Sequence, residues 1–404
     1  MSIFGGLFKI EALRLLSSKK NIVILGSTGS IGVQALEIIR QHSDQFRVIA
    51  LSCNSSWQVL ADQINEFRPK YAVMAQKDHF SSFKQAVDQQ QVVDQTETTL
   101  LAGRENLLRL AALEEADIIL NSLVGFAGFE PTIEALKSGN KVALANKESL
   151  VVGGAMVRAI VGDQPDRIIP VDSEHSAMLQ CLAGESAEEI EKLVITASGG
   201  PFRTWTKKQM EQISVKDALD HPNWSMGSKI TVDSATMMNK GLEVLEAHWL
   251  FDIPLERIET VVHPQSIIHS IITFNDGSSK AQMGPPTMKV PILYALTYPE
   301  RTTLDVPRLD WQKAFELTFE PVDYNRFPCL ELALEAARMS GLAPAILNAA
   351  NEVAVARFLN EEITYIQIPD IIEACLNGIN NSETVSLKKL KATDQKARRL
   401  ARSV

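Results

Sequence analysis

No run of apolar residues approaches the ~18 that a spanning helix needs, so a helical membrane protein is not expected. Cysteine is scarce: Cys53, Cys181, Cys329 and Cys375 lie far apart, without a C-x-x-C pair. Neither a disulfide framework nor a thiolate zinc site is expected, and a reducing cytoplasm is the default setting. Positive charge is also in short supply, 40 Lys and Arg against 49 Asp and Glu, for a net charge of −9. That argues against a general nucleic-acid binder, and an anionic ligand must be held by local cations, a metal or helix N-termini. Internal repeats and low-complexity segments are absent. What is present is 404 residues, 45% hydrophobic and 22% charged, enough for two or three domains with their own cores. Residues 1–20 mix apolar residues with lysines, carry Glu11 and lack a clear small-residue cleavage site, so they read as a short helical extension, with a targeting segment as the lesser alternative.

Along the chain, β-rich apolar runs alternate with helical spacing. Residues 21–25 enter the turn Gly26-Ser27-Thr28-Gly29-Ser30-Ile31-Gly32, and helical spacing follows over 33–40. Further strands are expected at 46–51, 71–75, 117–121 and 141–145. This alternation implies an α/β fold with a doubly wound parallel sheet. From residue 167 the texture changes: strands at 168–171, 192–197, 259–262 and 269–274 interleave with helices, the longest over 235–251, as in a second α/β domain. Prolines and charges interrupt the periodicity over 298–328, and helical patterns at 329–339, 343–360, 369–377 and 386–402 form a C-terminal bundle. The expected division is an extension (1–20), a Rossmann-like nucleotide domain (21–170), a central α/β domain (171–297), a linker (298–328) and a helical domain (329–404).

The turn has the spacing G-x-x-G-x-x-G. Its glycines, Gly26 first, permit a tight turn, close backbone approach to a pyrophosphate and close helix packing. The bland alternative is an ordinary βα turn. NAD-preferring domains usually carry an acidic residue at the end of the second strand, roughly 20 residues on; here that region reads Cys53-Asn54-Ser55-Ser56. No carboxylate repels a 2′-phosphate, which favours NADP, and no basic residue attracts one.

Downstream, two polar blocks stand in apolar surroundings: Val171-Asp172-Ser173-Glu174-His175 and Asn239-Lys240-Gly241-Leu242-Glu243. If the strand at 168–171 continues, Asp172 and Glu174 share a face at its carboxyl end, where ligands collect in α/β folds. Two hard oxygen donors suit Mg²⁺ or Mn²⁺. Asn239 and Glu243 are four apart on a helix and share a face, with Lys240 beside them. Acidic residues more often face solvent or cap helices, and His175 could be a structural histidine; spacing alone leaves both readings open. Asn146-Lys147-Glu148-Ser149 ends a sheet strand and could also be a capped helix start. Ser198-Gly199-Gly200 could expose N–H groups to an anion. His221-Pro222-Asn223-Trp224-Ser225-Met226-Gly227 could close over a substrate, or Trp224 could simply anchor it.

GSTGSIG at Gly26, NKES at Asn146, VDSEHSA at Val171, ASGGPFR at Ala197, HPNWSMG at His221, DSATMMNKGLEVLEAH at Asp233 and HPQSIIHS at His263 resemble, in order and spacing, the 1-deoxy-D-xylulose 5-phosphate reductoisomerases. The resemblance implies an NADPH- and divalent-metal-dependent homodimer acting on a sugar phosphate in the non-mevalonate isoprenoid pathway, without nucleic-acid or membrane partners. It implies Asp172, Glu174 and Glu243 as metal ligands. Ser198, His221, Ser234, Asn239 and Lys240 match phosphate and substrate positions, Trp224 lies in the closing loop, and Lys147 and Ser173 meet the reacting hydroxyls. Catalytic roles fall to Lys147, Glu174 and His221. Thr28, Gly29, Ser30, Ile31, Asn146, Glu148 and Gly227 fall on the cofactor side. The chain departs from the family at Asn54-Ser55-Ser56, where glycine, a basic residue and asparagine are usual, and the extension before Asn21 lies outside the pattern.

The reaction implied is rearrangement of 1-deoxy-D-xylulose 5-phosphate to an aldehyde, then reduction to 2-C-methyl-D-erythritol 4-phosphate. Retro-aldol/aldol and α-ketol routes would use the same residues. The rival readings are a simple NADP-dependent sugar-phosphate dehydrogenase, which needs no convergent carboxylates, and a nucleotide-sensing protein whose helical tail does the work.

Overall fold

Seven strands pair into one parallel sheet in the computed structural model, which describes residues 19–89, 98–381 and 384–404. Apart from Lys19 and Lys20, the expected N-terminal extension lies outside the described residues. The strands are β1 (Lys20–Leu25), β2 (Phe46–Cys53), β3 (Tyr71–Met74), β4 (Thr99–Ala102), β5 (Ile118–Asn121), β6 (Lys141–Leu144) and β7 (Ile168–Pro170), in the order β4-β3-β2-β1-β5-β6-β7. β1 shows why they read as continuous apolar runs. Ile22 and Ile24 face one core with Ile292 and Leu296 of the helix Lys289–Thr297, while Val23 and Leu25 face another with Ile133, Leu342 and Ala345. Both faces are covered, so neither can be polar. The second core includes C-terminal residues, so the helical tail packs directly on the nucleotide sheet. β1 lies between β2 and β5, the point where strand order reverses and where such sheets bind ligands at their carboxyl ends.

The second sheet is mixed, in the order β11-β10-β8-β9-β12, with β8 (Ile190–Ala197), β9 (Ile258–Val262), β10 (Ile268–Phe274), β11 (Ser279–Met283) and β12 (Glu320–Pro321). The helices Ser173–Cys181 and Met238–Phe251 cover it through Met178, Val244 and Ala247. The other side of Met238–Phe251 presents Leu242 and Leu245 to the bundle of Pro328–Met339, Ala343–Leu359, Gln367–Gly378 and Leu387–Ser403. Gly241 serves this packing: a Cβ there would lie 2.3 Å from the Ala333 Cβ. None of the described helices is long and apolar enough to cross a membrane.

Three expectations need correction. The strand at 168–171 belongs to the first sheet, not to the central domain: Ile168, Ile169 and Pro170 pair in parallel with β6, on the edge that tolerates proline. Asp172 and Glu174 are not alternate residues of an extended strand. Asp172 is the N-cap of Ser173–Cys181, accepting from the Glu174 N–H at 3.3 Å, and Glu174 lies in the first helical turn. The helix expected over 235–251 is two helices, Ser228–Ala235 and Met238–Phe251, broken at Met237 with φ of 61°. The Tyr365 hydroxyl donates to the Ala235 carbonyl at 2.8 Å, satisfying an acceptor that the break frees.

Candidate active site

The turn between β1 and the helix Ser30–Gln41 takes the course its glycines require. A Cβ at Gly32 would stand 2.5 Å from the Gly26 carbonyl oxygen, so only glycine lets the helix begin this close to the strand. Gln63, which the sequence did not single out, holds the turn from the next helix: its amide donates to the Ser27 carbonyl at 2.9 Å and accepts from the Ser27 hydroxyl at 2.7 Å. Thr28 is partly buried, whereas Gly29 and Ser30 are exposed at the carboxyl end of β1. Asn54, Ser55 and Ser56 are exposed beside them, at the end of β2 and the start of the helix Trp57–Phe67.

A single cavity in front of this turn is lined by Ser30, Ile31, Lys147, Asp172, Ser173, Glu174, Ser198, His221, Trp224, Gly227, Ser234, Asn239, Lys240 and Glu243. Of the remaining sequence-derived candidates, Gly26, Thr28, Gly29 and Asn54 to Ser56 follow the carboxyl ends of β1 and β2 and are not among the residues lining it. Asn146 and Glu148 are buried behind its wall: the Asn146 amide donates to the Leu123 and Gly125 carbonyls at 2.9 and 3.0 Å and to Glu148 Oε2 at 3.0 Å.

Carboxylate oxygens of Asp172, Glu174 and Glu243 lie within 4.8 Å of one another. Two buried ammonium groups stand against them. Lys147 pairs with Asp172, with Glu243 at 3.2 Å and with Asn239 Oδ1 at 2.8 Å; Lys240 pairs with Glu174 and with Glu243 at 2.5 Å. Burial and the neighbouring Glu174 push the Glu243 carboxyl up to about 7, with the lysines opposing. Burial works against charge on Asp172, but Lys147 and His175 outweigh it and hold that carboxyl well below the usual range. Three hard oxygens, one of them crowded enough to take up a proton near neutrality, form a donor set that fits a divalent cation such as Mg²⁺. A proton on Glu243 competes with that cation. Apparent Mg²⁺ affinity is therefore expected to weaken about tenfold from pH 8 to pH 6. Titration calorimetry across that range checks it; a flat affinity would remove Glu243 from the ligand set.

Behind these carboxylates His175 is fully buried. Its Nε2 lies 2.9 Å from the Glu243 carbonyl and its Nδ1 lies 3.2 Å from Asp172 and 3.4 Å from Glu246. Burial opposes its charge, yet Glu246 and Asp172 raise its pKa to about 9. Glu246 escaped sequence reading; its spacing three residues beyond Glu243 on one helix was the available signal.

A second cluster lies across the cavity. Gly200 has φ of 65°, and a Cβ there would meet the Ser234 carbonyl at 2.8 Å, so the Ser198-Gly199-Gly200 loop can press against the end of Ser228–Ala235. His221 Nε2 lies 3.1 Å from both the Ser198 and Ser234 hydroxyls. Its Nδ1 accepts from the Asn223 and Trp224 N–H groups at 3.2 and 3.1 Å. An Nδ1 that accepts carries no proton, so Nε2–H is the donor. Burial and Lys240 lower the His221 pKa to about 4, keeping the ring neutral. Asn223 ties the loop to the Pro264 carbonyl at 2.7 Å.

A dinucleotide turn at a strand-order reversal, facing convergent carboxylates, lysines and a cluster of neutral donors, defines a nucleotide-dependent enzyme acting with a divalent metal on a small anionic substrate. Models of 1-deoxy-D-xylulose 5-phosphate reductoisomerase match residues 22–154, and models of its C-terminal domains match 168–251 and 283–400. The chain belongs to this family. It is 50% identical over 380 residues to the reductoisomerase of Chloroherpeton thalassium, covering 94% of this chain and 97% of that one. It is 47% identical to that of Clostridium perfringens, over 94% and 98%. Among solved structures, the Zymomonas mobilis enzyme in complex with NADPH superposes with a TM-score of 0.87 at 40% identity, covering 96% of this chain and 99% of that one. A reductoisomerase in complex with NADPH, fosmidomycin and magnesium gives 0.89 at 40% identity, over 95% and 98%.

Proposed function

We propose that this one cavity both rearranges and reduces 1-deoxy-D-xylulose 5-phosphate, giving 2-C-methyl-D-erythritol 4-phosphate, the family's NADPH- and metal-dependent step in isoprenoid synthesis. The observation that carries the proposal is the convergence of Asp172, Glu174 and Glu243 beside Lys147, in front of the glycine turn. A simple dehydrogenase has no need of that constellation.

Asp172, Glu174 and Glu243 would hold the divalent ion, which when bound supplies Lewis-acid polarisation of the substrate's carbonyl. Lys147, buried and held protonated by Asp172 and Glu243, stabilises negative charge on the reacting oxygens, with Ser173 donating alongside. Glu174, next to the Ser173 hydroxyl at 2.5 Å, is the proton acceptor. Ser198, His221 and Ser234 grip the phosphate, and Asn239 and Lys240 link that grip to the carboxylates. Trp224 and the loop over 221–227 cover the substrate and exclude water. Gly26, Thr28, Gly29, Ser30 and Ile31 cradle the dinucleotide, which supplies the hydride; Asn146, Glu148 and Gly227 shape its nicotinamide end, and Asn54, Ser55 and Ser56 face its ribose. Residues 21–170 then act as the nucleotide domain, 171–297 as the catalytic domain and 329–404 as the helical domain, joined by 298–328.

The chain works as a homodimer in the cytoplasm. Exposed Trp311, Phe315 and Phe319 in the linker and the edge strand β11 support an interface there. Purified protein given NADPH, Mg²⁺ and 1-deoxy-D-xylulose 5-phosphate should lose NADPH absorbance, and a chelator should stop it. Oxidation that survives the chelator would favour a simple dehydrogenase, and none at all a nucleotide sensor.

His221→Ala tests the phosphate grip. Loss of a hydrogen bond to a charged group should lower kcat/KM by about tenfold to a hundredfold. The dephosphorylated sugar should show no such loss, and an equal loss on both would place His221 elsewhere.

A further inference from the structure

Lys229 has no part in the groups described so far. It lies two residues beyond Gly227, where the loop over 221–227 ends and the helix Ser228–Ala235 begins. Its side chain is 18% exposed, and its ammonium stands 2.7 Å from Glu148 Oε1 and 2.9 Å from Asp233 Oδ2. Each carboxylate uses its other oxygen on a different part of the fold. Glu148 Oε2 accepts from the Asn146 amide, which also donates to the Leu123 and Gly125 carbonyls after β5. Between those carbonyls Val124 is 69% exposed, an apolar side chain presented at the carboxyl end of a central strand. Asp233 Oδ1 accepts at 2.8 Å from the amide of Asn351, in the C-terminal helix Ala343–Leu359. The next residue, Glu352, accepts from the Phe126 N–H at 2.9 Å and pairs with Arg398. One lysine thus joins the start of the loop-bearing helix to the nicotinamide end of the cavity, and the C-terminal helix braces both from behind.

We propose that Lys229 is a positioning residue that sets the covering loop in register with the nicotinamide end of the site, with Asn351 and Glu352 of the helical domain as its back wall. The proposal rests on the reading of the cavity given above. It gives the C-terminal domain a role in cofactor placement as well as in folding. The hydrogen bonds and ion pairs of the Lys229 ammonium go to Glu148 and Asp233, not to Asp172, Glu174, Glu243, Ser198, His221 or Ser234, so its loss has a distinct signature. Placement of the nicotinamide suffers while metal and phosphate binding are kept.

The test uses the full chain. In Lys229→Met, the NADPH dissociation constant, read by fluorescence titration without substrate, and the KM for NADPH are expected to rise about tenfold. The half-saturating Mg²⁺ concentration and the KM for 1-deoxy-D-xylulose 5-phosphate are expected to stay within about twofold. Lys229→Arg should restore most of the NADPH affinity. Because Lys229→Met leaves two carboxylates without their cation and could fail to fold, Asn351→Leu provides a second reading. It leaves the lysine and its carboxylates in place and should shift NADPH affinity in the same direction by about threefold. An equal loss in every parameter, or unchanged NADPH affinity in both variants, overturns the proposal. Wild-type turnover in the same assay separates its failure from that of the functional reading: an active wild type with an unaltered Lys229→Met removes the lysine's role alone.

Discussion

Glu243→Ala is expected to lower metal-dependent kcat by about a thousandfold, roughly 4 kcal/mol of transition-state stabilisation, while the NADPH dissociation constant stays within about twofold. Glu243 is 1% exposed and touches both lysines, so it joins the two halves of the ionic cluster. Its removal takes away one of three hard oxygen donors and leaves Lys147 and Lys240 facing fewer carboxylates. The hydrogen bonds and ion pairs of the Glu243 carboxylate go to Lys147, Asn239 and Lys240, none to the glycine turn at Gly26 to Gly32, which is why cofactor binding should survive. Glu243→Gln keeps the volume and separates charge from packing; it should lose nearly as much rate with a smaller change in melting temperature. Near-normal turnover at saturating Mg²⁺ in either variant would sink the assignment of Glu243 as a ligand.

Lys147→Met should lower kcat by about a hundredfold to a thousandfold, the range found when a single preorganised donor is lost from a developing oxyanion. Its metal response should go the other way. The Lys147 ammonium lies against Asp172 and within 3.2 Å of Glu243, competing with any cation those oxygens would hold. Without it, two buried carboxylates each lose one counter-charge, leaving Lys240 for Glu243 and His175 for Asp172, a change of up to about 3–5 kcal/mol when no metal compensates. The variant should therefore melt lower than wild type without Mg²⁺ and gain more from added Mg²⁺. Differential scanning calorimetry with and without the ion decides. A variant that gains less than wild type would mean that Lys147 assists metal binding, contrary to the electrostatics of the cluster.

Five of the seven strands of the nucleotide sheet were legible, because a strand covered on both faces, such as Ile22 to Leu25, can only be a continuous apolar run, and because Gly32 stands where no side chain fits; β4, exposed at Thr99 and half-buried beyond it, was not, and β7 read as part of the central domain. The C-terminal helices were legible from their own periodicity, to within a residue or two at each end. The break at Met237 was not. Neither glycine nor proline marks it, and it is held by contacts distant in sequence, such as that of Tyr365 with Ala235. The polar blocks at Asp172 and Asn239 were visible as anomalies, but their convergence depends on an N-cap and a kinked helix pair that periodicity does not encode. The roles assigned to individual residues came from resemblance to the family, not from spacing. The contacts Lys229–Glu148, Gln63–Ser27 and Asn351–Asp233 escaped because they span 81, 36 and 118 residues, and pairing at that range leaves no trace in a local pattern.

The central claim is that one cavity performs rearrangement and reduction on the same substrate, and the carbon skeleton of the product tests it most directly. Carbon NMR of the product formed from ¹³C-labelled 1-deoxy-D-xylulose 5-phosphate with NADPH and Mg²⁺ should show the branched chain of 2-C-methyl-D-erythritol 4-phosphate, with none formed once the metal is chelated. An unbranched polyol phosphate, the product of reducing the substrate's own carbonyl, would contradict it.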